Sequence, residues 1–285
     1  MPSVLITGAA RGIGRAAALR LARAGWTVHA GVRQAADGVE LAVAAGAGTR
    51  ITPVVLDVAD AAQVAALDAV LPGRLDAVVN NAGIAVGGPI EGLDLAELRR
   101  GLEVNVVGAV AVTQAVLPRL RASRGRVVFV SSVSGRVSSP MLGAYSASKF
   151  ALEAIADALR VEVRPWGIAV VLIEPGAIDT DMWRTAMDTV AETEAGLAPA
   201  VRGLYARHLA GLRKAVPRIQ RQTTAVDEAA AAIETALTAQ PPRERYLVGT
   251  DARAQVALRA ALPTRAFDTL VARMTGVPRA PRRRR

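Results

Sequence analysis

Apolar residues along the chain gather in short β-rich runs, most of them followed by a stretch in which they recur every three or four positions. The run SVLIT at 3–7 precedes a helical pattern at 12–24, WTVHAGV follows at 26–32, and ITPVVLD at 51–57 leads into a helical stretch at 60–71. LDAVVN at 75–80 precedes a helix around 97–122, RVVFVS at 126–131 a helix around 144–164, and IAVVLIE at 168–174 is a sixth run. Runs that are apolar on both faces and alternate with helices predict a parallel sheet covered on both sides. The expected fold class is therefore α/β, a Rossmann-type doubly wound sheet of about seven strands. Gly25 stands just past the first helical stretch, where a C-terminal cap belongs, and Gly167 marks the turn into the sixth run.

After Pro175 and Gly176 the rhythm loosens: 181–216 is helical but irregular, 225–240 is an Ala-rich helix, RYLVG at 245–249 reads as a last strand, and a final helix lies near 251–271. No second core is visible, so residues 1–275 are expected to form one domain. The 181–216 insertion would serve as a helical lid at the carboxyl ends of the strands, where open α/β sheets bind ligands.

The 285 residues are 52% hydrophobic, which excludes a disordered polymer. There is no cysteine, so thiol chemistry is excluded, and His29 and His208 alone cannot build a metal site. The N-terminus lacks a leader pattern, and no uncharged apolar run reaches the length of a membrane span. A cytoplasmic, soluble protein without a transmembrane segment is the expectation. The net charge of +10 owes five arginines to the last seven residues, RAPRRRR, so 276–285 reads as a basic, disordered tail. With 3% aromatics there are few stacking platforms, and no nucleic-acid partner is expected.

Between the first strand and first helix lies TGAARGIG at 7–14, with Gly8, Gly12 and Gly14. Glycine there permits a tight turn and close backbone approach to a pyrophosphate, which the N–H groups of the helix start would receive. Arg11 and Ile13 belong to the same loop. An NAD site presents an acid at the end of the second strand, whereas an NADP site needs a cation for the 2′-phosphate. Here Arg33 follows Val32, no acid comes before Asp37, and Arg11 adds a second possible contact. NADP(H) is expected, and NAD(H) less so.

GAYSASKF at 143–150 holds one of only two lysines, Lys149 and Lys214, in a chain that otherwise uses arginine. Tyr145 and Lys149 stand at i and i+4 on one helix face. A phenol is a poor base at neutral pH, and a nearby ammonium favours the phenolate; a shift of about two to three pKa units corresponds to roughly 3 to 4 kcal/mol. A compact ammonium suits that task, and ribose hydroxyls, better than a planar guanidinium.

The sequence resembles the short-chain dehydrogenase/reductase family over residues 3 to about 180, through TGAARGIG, LDV (56–58), NNAG (80–83), VNVVG (104–108), VSS (130–132), YSASK (145–149) and PGAIDT (175–180), in that order. The resemblance implies Tyr145 as general acid/base, Lys149 as the group that lowers its pKa and holds the ribose, and Asn105 as the holder of a relay water. Ser132, at the usual spacing before the tyrosine, would hydrogen-bond the substrate oxygen, although Ser131 and Ser134 are neighbours. It also implies Asp57 and Val58 at the adenine, Asn81, Ala82 and Gly83 along the cofactor, and Pro175, Gly176, Ile178 and Thr180 at the nicotinamide end. Ser132, Val133, Ser134, Met141, Leu142, Tyr145, Gly176, Met182 and Trp183 would surround the substrate. These are mostly apolar and include no arginine clamp, which favours a hydrophobic ketone or aldehyde and its alcohol. The C-terminal part is similar to steroid and retinol dehydrogenases. Tyr205 and Tyr246 lack a lysine at i+4 and read as packing residues, and His29 as structural. A non-catalytic dinucleotide-binding redox sensor is the alternative, but such relatives usually lose the tyrosine or lysine kept here. The helices at 97–122 and 144–164 are expected to pair in a homodimer or homotetramer.

Overall fold

The first apolar run folds as β1 (Ser3–Thr7) and its helical successor as α1 (Gly12–Arg23), in a computed structural model that describes residues 1–278. Then come β2 (Thr27–Val32), α2 (Ala35–Ala45), β3 (Arg50–Val55), α3 (Ala61–Val70) and β4 (Ala77–Asn80). A long helical run follows, made of α4 (Leu95–Leu102), a π-helical turn at Glu103–Gly108 and α5 (Ala109–Ser123). β5 (Arg126–Val130), α6 (Gly143–Glu162), β6 (Ala169–Pro175), α7 (Asp181–Arg184), α8 (Ala186–Gly196) and α9 (Pro199–Gln220) continue the chain. α10 (Val226–Thr238), β7 (Arg245–Val248), α11 (Thr250–Ala261) and α12 (Thr264–Thr275) complete it.

The seven strands form one parallel sheet in the order β3-β2-β1-β4-β5-β6-β7. Strand order reverses between β1 and β4, which opens a crevice at their carboxyl ends. Alternation along β1 feeds both cores: Val4 and Ile6 join the cluster with α1 and α10, while Leu5 joins the one with α3, α5 and α6. Each fully buried Leu, Ile or Phe contributes about 2 kcal/mol of apolar burial, so the central strands are the most tightly held backbone.

The structure differs from the sequence pattern in four places. α2 occupies a stretch where the rhythm names no helix, because its alanines and Gly38 blur the apolar stripe. β3 is an edge strand with Thr52, Pro53 and Val55 exposed, and an edge is where a proline without a ladder donor is tolerated. The irregular 181–216 region resolves into α7, α8 and α9, and the final helix breaks at Pro263 into α11 and α12. Of the expected tail, 279–285 lie outside the described residues. Among the described residues one helical run, Leu95–Ser123, is long and apolar enough to cross a membrane by composition alone, with mean hydropathy 1.4. Its Val112, Val116 and Leu120 are buried in the core beneath the sheet, which accounts for that apolarity.

Candidate active site

The crevice begins at the glycine loop. Gly8 and Gly12 have φ of +65° and +55°, and a Cβ on Gly8 would come within 3.0 Å of the Ala82 Cα. A Cβ on Gly14 would overlap the Gly8 carbonyl and the Asn81 amide, so the α1 helix starts as close to the β4 loop as backbone permits. Thr7 Oγ1 accepts from the Asn81 and Ala82 N–H groups at 3.0 Å each, and Asn81 Nδ2 donates to the carbonyls of Thr7 at 2.9 Å and Gly8 at 3.1 Å. The start of α1 has no side-chain cap and no acid in its first turn. Its free N–H groups and partial positive charge fit a dinucleotide pyrophosphate.

Arg11 and Arg33 are exposed at this end, and among the described residues neither makes an ion pair. Asp57 Oδ1 accepts from the Ala59 N–H at 3.0 Å, and buried Val58 packs against Gly108. At the opposite end Pro175 closes β6, Gly176 abuts the Asp251 carboxylate, and Asp251 Oδ2 accepts from the Ala177 N–H at 2.8 Å. Ile178 bridges to Thr224, and Thr180 faces Gly12, so the two ends of the crevice meet across it.

Between them α6 presents Tyr145 to Ser132, which caps the short turn after β5. Ser132 Oγ accepts from the Ser134 N–H at 3.1 Å, donates to the Pro175 carbonyl at 3.4 Å, and lies near enough to the phenol to lower its pKa. Of the three candidate serines only Ser132 reaches Tyr145 in this way; the Ser131 hydroxyl is buried without a partner. Lys149, 4% exposed, donates from Nζ to the Val130 carbonyl at 2.9 Å and lies 5.7 Å from the centre of the Tyr145 ring. Burial lowers the Lys149 ammonium to about 8. The net shift runs against the expected lowering: burial raises the Tyr145 pKa, and Ser132 offsets only part of that.

Asn105 sits in the π-helical turn. Its Oδ1 accepts from the Ile84 N–H at 2.8 Å, and its Nδ2 donates to the Ile84 carbonyl at 2.8 Å and to Ser148 Oγ at 2.9 Å. Both amide protons are thus engaged by protein and the oxygen accepts one bond, so the side chain clamps the β4 loop to α6 and keeps one lone pair on Oδ1. Gly83 lies beside both Asn105 and Lys149.

On the substrate side Val133 and Met141 are buried and Ser134 and Leu142 half-buried around the tyrosine, whereas Met182 is exposed, and among the described residues no packing joins it or Trp183 to this cluster. Of the lid residues that do pack here, the sequence singled out only Tyr205, as a packing residue. Leu197 and Leu209, with half-buried Val201 and Tyr205, cover Met141, and Thr193 reaches Gly88. Asp251, Ser148 and Glu153 were likewise missed; only Glu153, one turn after Lys149, carried a spacing signal.

The family model described as short chain dehydrogenase matches residues 2–191. The NADPH-dependent 3-dehydrocapnine reductase of Ornithobacterium rhinotracheale is 39% identical over 201 residues, 69% of each chain. Retinol dehydrogenase 5 of Mus musculus is 33% identical, over 94% of this chain and 87% of its own. Among solved structures, a short chain dehydrogenase from Burkholderia cenocepacia in complex with NADP superposes with a TM-score of 0.73 at 26% identity, over 96% of this chain and 97% of its own. A 3-oxoacyl-[acyl-carrier protein] reductase from Brucella melitensis with bound NAD gives 0.67 at 30% identity, over 87% and 89%. Together with the glycine cradle and the seven-stranded parallel sheet, these matches establish that the chain belongs to the short-chain dehydrogenases, oxidoreductases acting on CH–OH and C=O groups.

Proposed function

We propose that the protein is an NADP(H)-dependent reductase that interconverts a hydrophobic ketone or aldehyde and its alcohol. The convergence of Ser132, Tyr145 and Lys149 beside the glycine cradle carries this reading. The preference for NADP(H) is supported by the guanidinium groups of Arg11 and Arg33, which make no ion pair among the described residues, by an NADPH-dependent relative and by an NADP-bound neighbour, although an NAD-bound neighbour also exists.

The α1 N-terminus with Gly12, Ile13 and Gly14 would hold the pyrophosphate, Arg11 and Arg33 the 2′-phosphate, Asp57 and Val58 the adenine, and Ile178 and Thr180 the carboxamide end. When bound, the nicotinamide supplies the hydride. Ser132 donates to the substrate oxygen and fixes its distance from Tyr145. Tyr145 passes its phenolic proton to that oxygen as negative charge develops there. The Lys149 ammonium then stabilises the phenolate left behind. Asn105 fixes the β4 loop against α6 and would hold a relay water through the remaining lone pair of its amide oxygen. Val133, Met141, Leu142 and Leu197 exclude bulk water and offer no counter-charge for an acidic substrate, which favours an apolar carbonyl compound.

The test is consumption of NADPH, with NADH in parallel, against aliphatic, aryl, steroid and retinoid carbonyls. Turnover is expected on one class, with Tyr145→Phe reducing kcat by at least about 100-fold while NADPH still binds. Arg33→Ala is expected to lower the NADPH-to-NADH ratio of kcat/KM by roughly tenfold. Wild-type turnover by Tyr145→Phe would sink the mechanism, and an unchanged ratio the cofactor assignment. Tight NADPH binding without turnover on any carbonyl returns weight to the sensor reading.

A further inference from the structure

One turn beyond Lys149, α6 carries Glu153, a carboxylate only 6% exposed. Positions 145, 149 and 153 form one column on the helix. Behind it lies a buried charge cluster. Glu153 Oε2 is 3.3 Å from Arg245 Nε, and the same nitrogen is 3.0 Å from Glu174 Oε1, which also takes Arg136 Nη1 at 3.1 Å. Glu174 is fully buried, and Arg245 Nη2 is committed to Asp157 at 2.7 Å. Arg245 is therefore shared among three acids, and Glu153 has the longest of these contacts. Its other oxygen, Oε1, is buried without a donor, as is the neighbouring Ser131 hydroxyl. Both lie against Gly135, where a Cβ would sit 2.9 Å from Glu153 Cγ and from Ser131 Oγ.

Lys149 has the opposite deficit. It is faced by the Tyr145 ring from α6, the Val130 carbonyl from β5, and Gly83 and Asn105 from the β4 loop and the π-helical turn, all neutral. Glu153 is faced by Ser131 and Gly135 after β5, Glu174 on β6, Arg245 on β7 and Asp157 on α6; Arg136 and Arg160 reach the cluster through Glu174 and Asp157. Among the described residues Glu153, buried one turn along the same helix face, is the acid whose charge opposes the loss of the lysine proton.

We propose that Glu153 is a positioning residue for the active site: its carboxylate, held by Arg245, is the counter-charge that keeps Lys149 an ammonium. The hold of Lys149 on its proton then tightens as Glu153 loses its own. Burial, with Glu174 adding to it and Arg245 opposing, raises Glu153 to about 7, so the two groups titrate next to one another. The consequence for turnover rests on the reductase reading, but the charge on Lys149 does not.

With only two lysines in the chain, biosynthetic labelling at the ε-carbon gives two carbon resonances, and Lys214→Arg assigns them. In the full chain without cofactor, the Lys149 resonance is expected to titrate near 8, after an earlier inflection near 7 as Glu153 ionises. Glu153→Gln should remove the early inflection and lower the Lys149 midpoint by on the order of one pH unit. Glu153→Asp, which keeps a carboxylate, should restore part of it. An unchanged midpoint in folded Glu153→Gln overturns the proposal. If that variant does not fold, absence of the early inflection in the wild type overturns it alone. Failure of the reductase reading would instead leave this titration intact and abolish only turnover.

Discussion

His29 shows how much one side chain can impose. It lies in β2 at 7% exposure, with both ring nitrogens buried and without partners. Burial holds its pKa below the ordinary 6.5, because a charged imidazole there has no compensating contact. The unfolded chain takes up that proton near pH 6.5, and the folded protein only at lower pH. Stability due to neutral His29 is therefore present above the unfolded value and lost as pH falls towards the folded one. Urea midpoints are expected to drop below pH 6.5, with a slope of up to ~1.4 kcal/mol per pH unit from this site. His29→Leu should flatten that slope; equal slopes in the two proteins would assign the acid lability to carboxylates instead. Lys149 is the counterpart, a buried cation whose charge depends on what surrounds it. The bias of the chain made that lysine visible in the sequence. Its carbonyl partner Val130 and its neighbour Glu153 are brought to it only by folding.

At the scale of elements, the helical run from α4 to α5 matters most. Its apolar spacing marks a helix around 97–122, and VNVVG marks Asn105, yet nothing local foretells the π-helical turn. That turn depends on partners far along the chain. Gly108 packs directly on the Val58 backbone, and the Asn105 amide binds Ile84 and Ser148. Asn105→Ala would leave the half-buried Ile84 N–H and carbonyl without their side-chain partner. It is expected to lower the unfolding free energy by about 2 kcal/mol or more and to impair turnover, since the β4 loop and α6 lose their clamp. A variant of wild-type stability in urea would mean that solvent satisfies those groups and that the clamp is dispensable. The lid follows the same logic. Its irregular pattern announces helices without saying which residues meet the site, and the packing of Leu197 and Leu209 on Met141 answers that.

Over the whole molecule, α5, its preceding π-helical turn and α6 leave Val107, Phe150 and Val161 exposed by 49%, 45% and 72%. Apolar side chains of this size on helices next to one another are what a second copy would cover. Light scattering is expected to give a mass at least twice 29.6 kDa, and Phe150→Glu to shift it towards the monomer. A monomeric wild type would refute the pairing. The parallel sheet, the glycine cradle and the placing of Tyr145 and Lys149 on one helix face were legible in the sequence, because each rests on local spacing: periods of two and 3.6, a turn that only glycine allows, and positions one helical turn apart; Ser132 was pointed to only by the family resemblance. The edge position of β3, the brace from Asp251, the Asn105 clamp and the Glu153 counter-charge were decided by the tertiary structure. Each joins residues from separate elements, and the burial that shifts their protonation exists only once the sheet has brought those elements together.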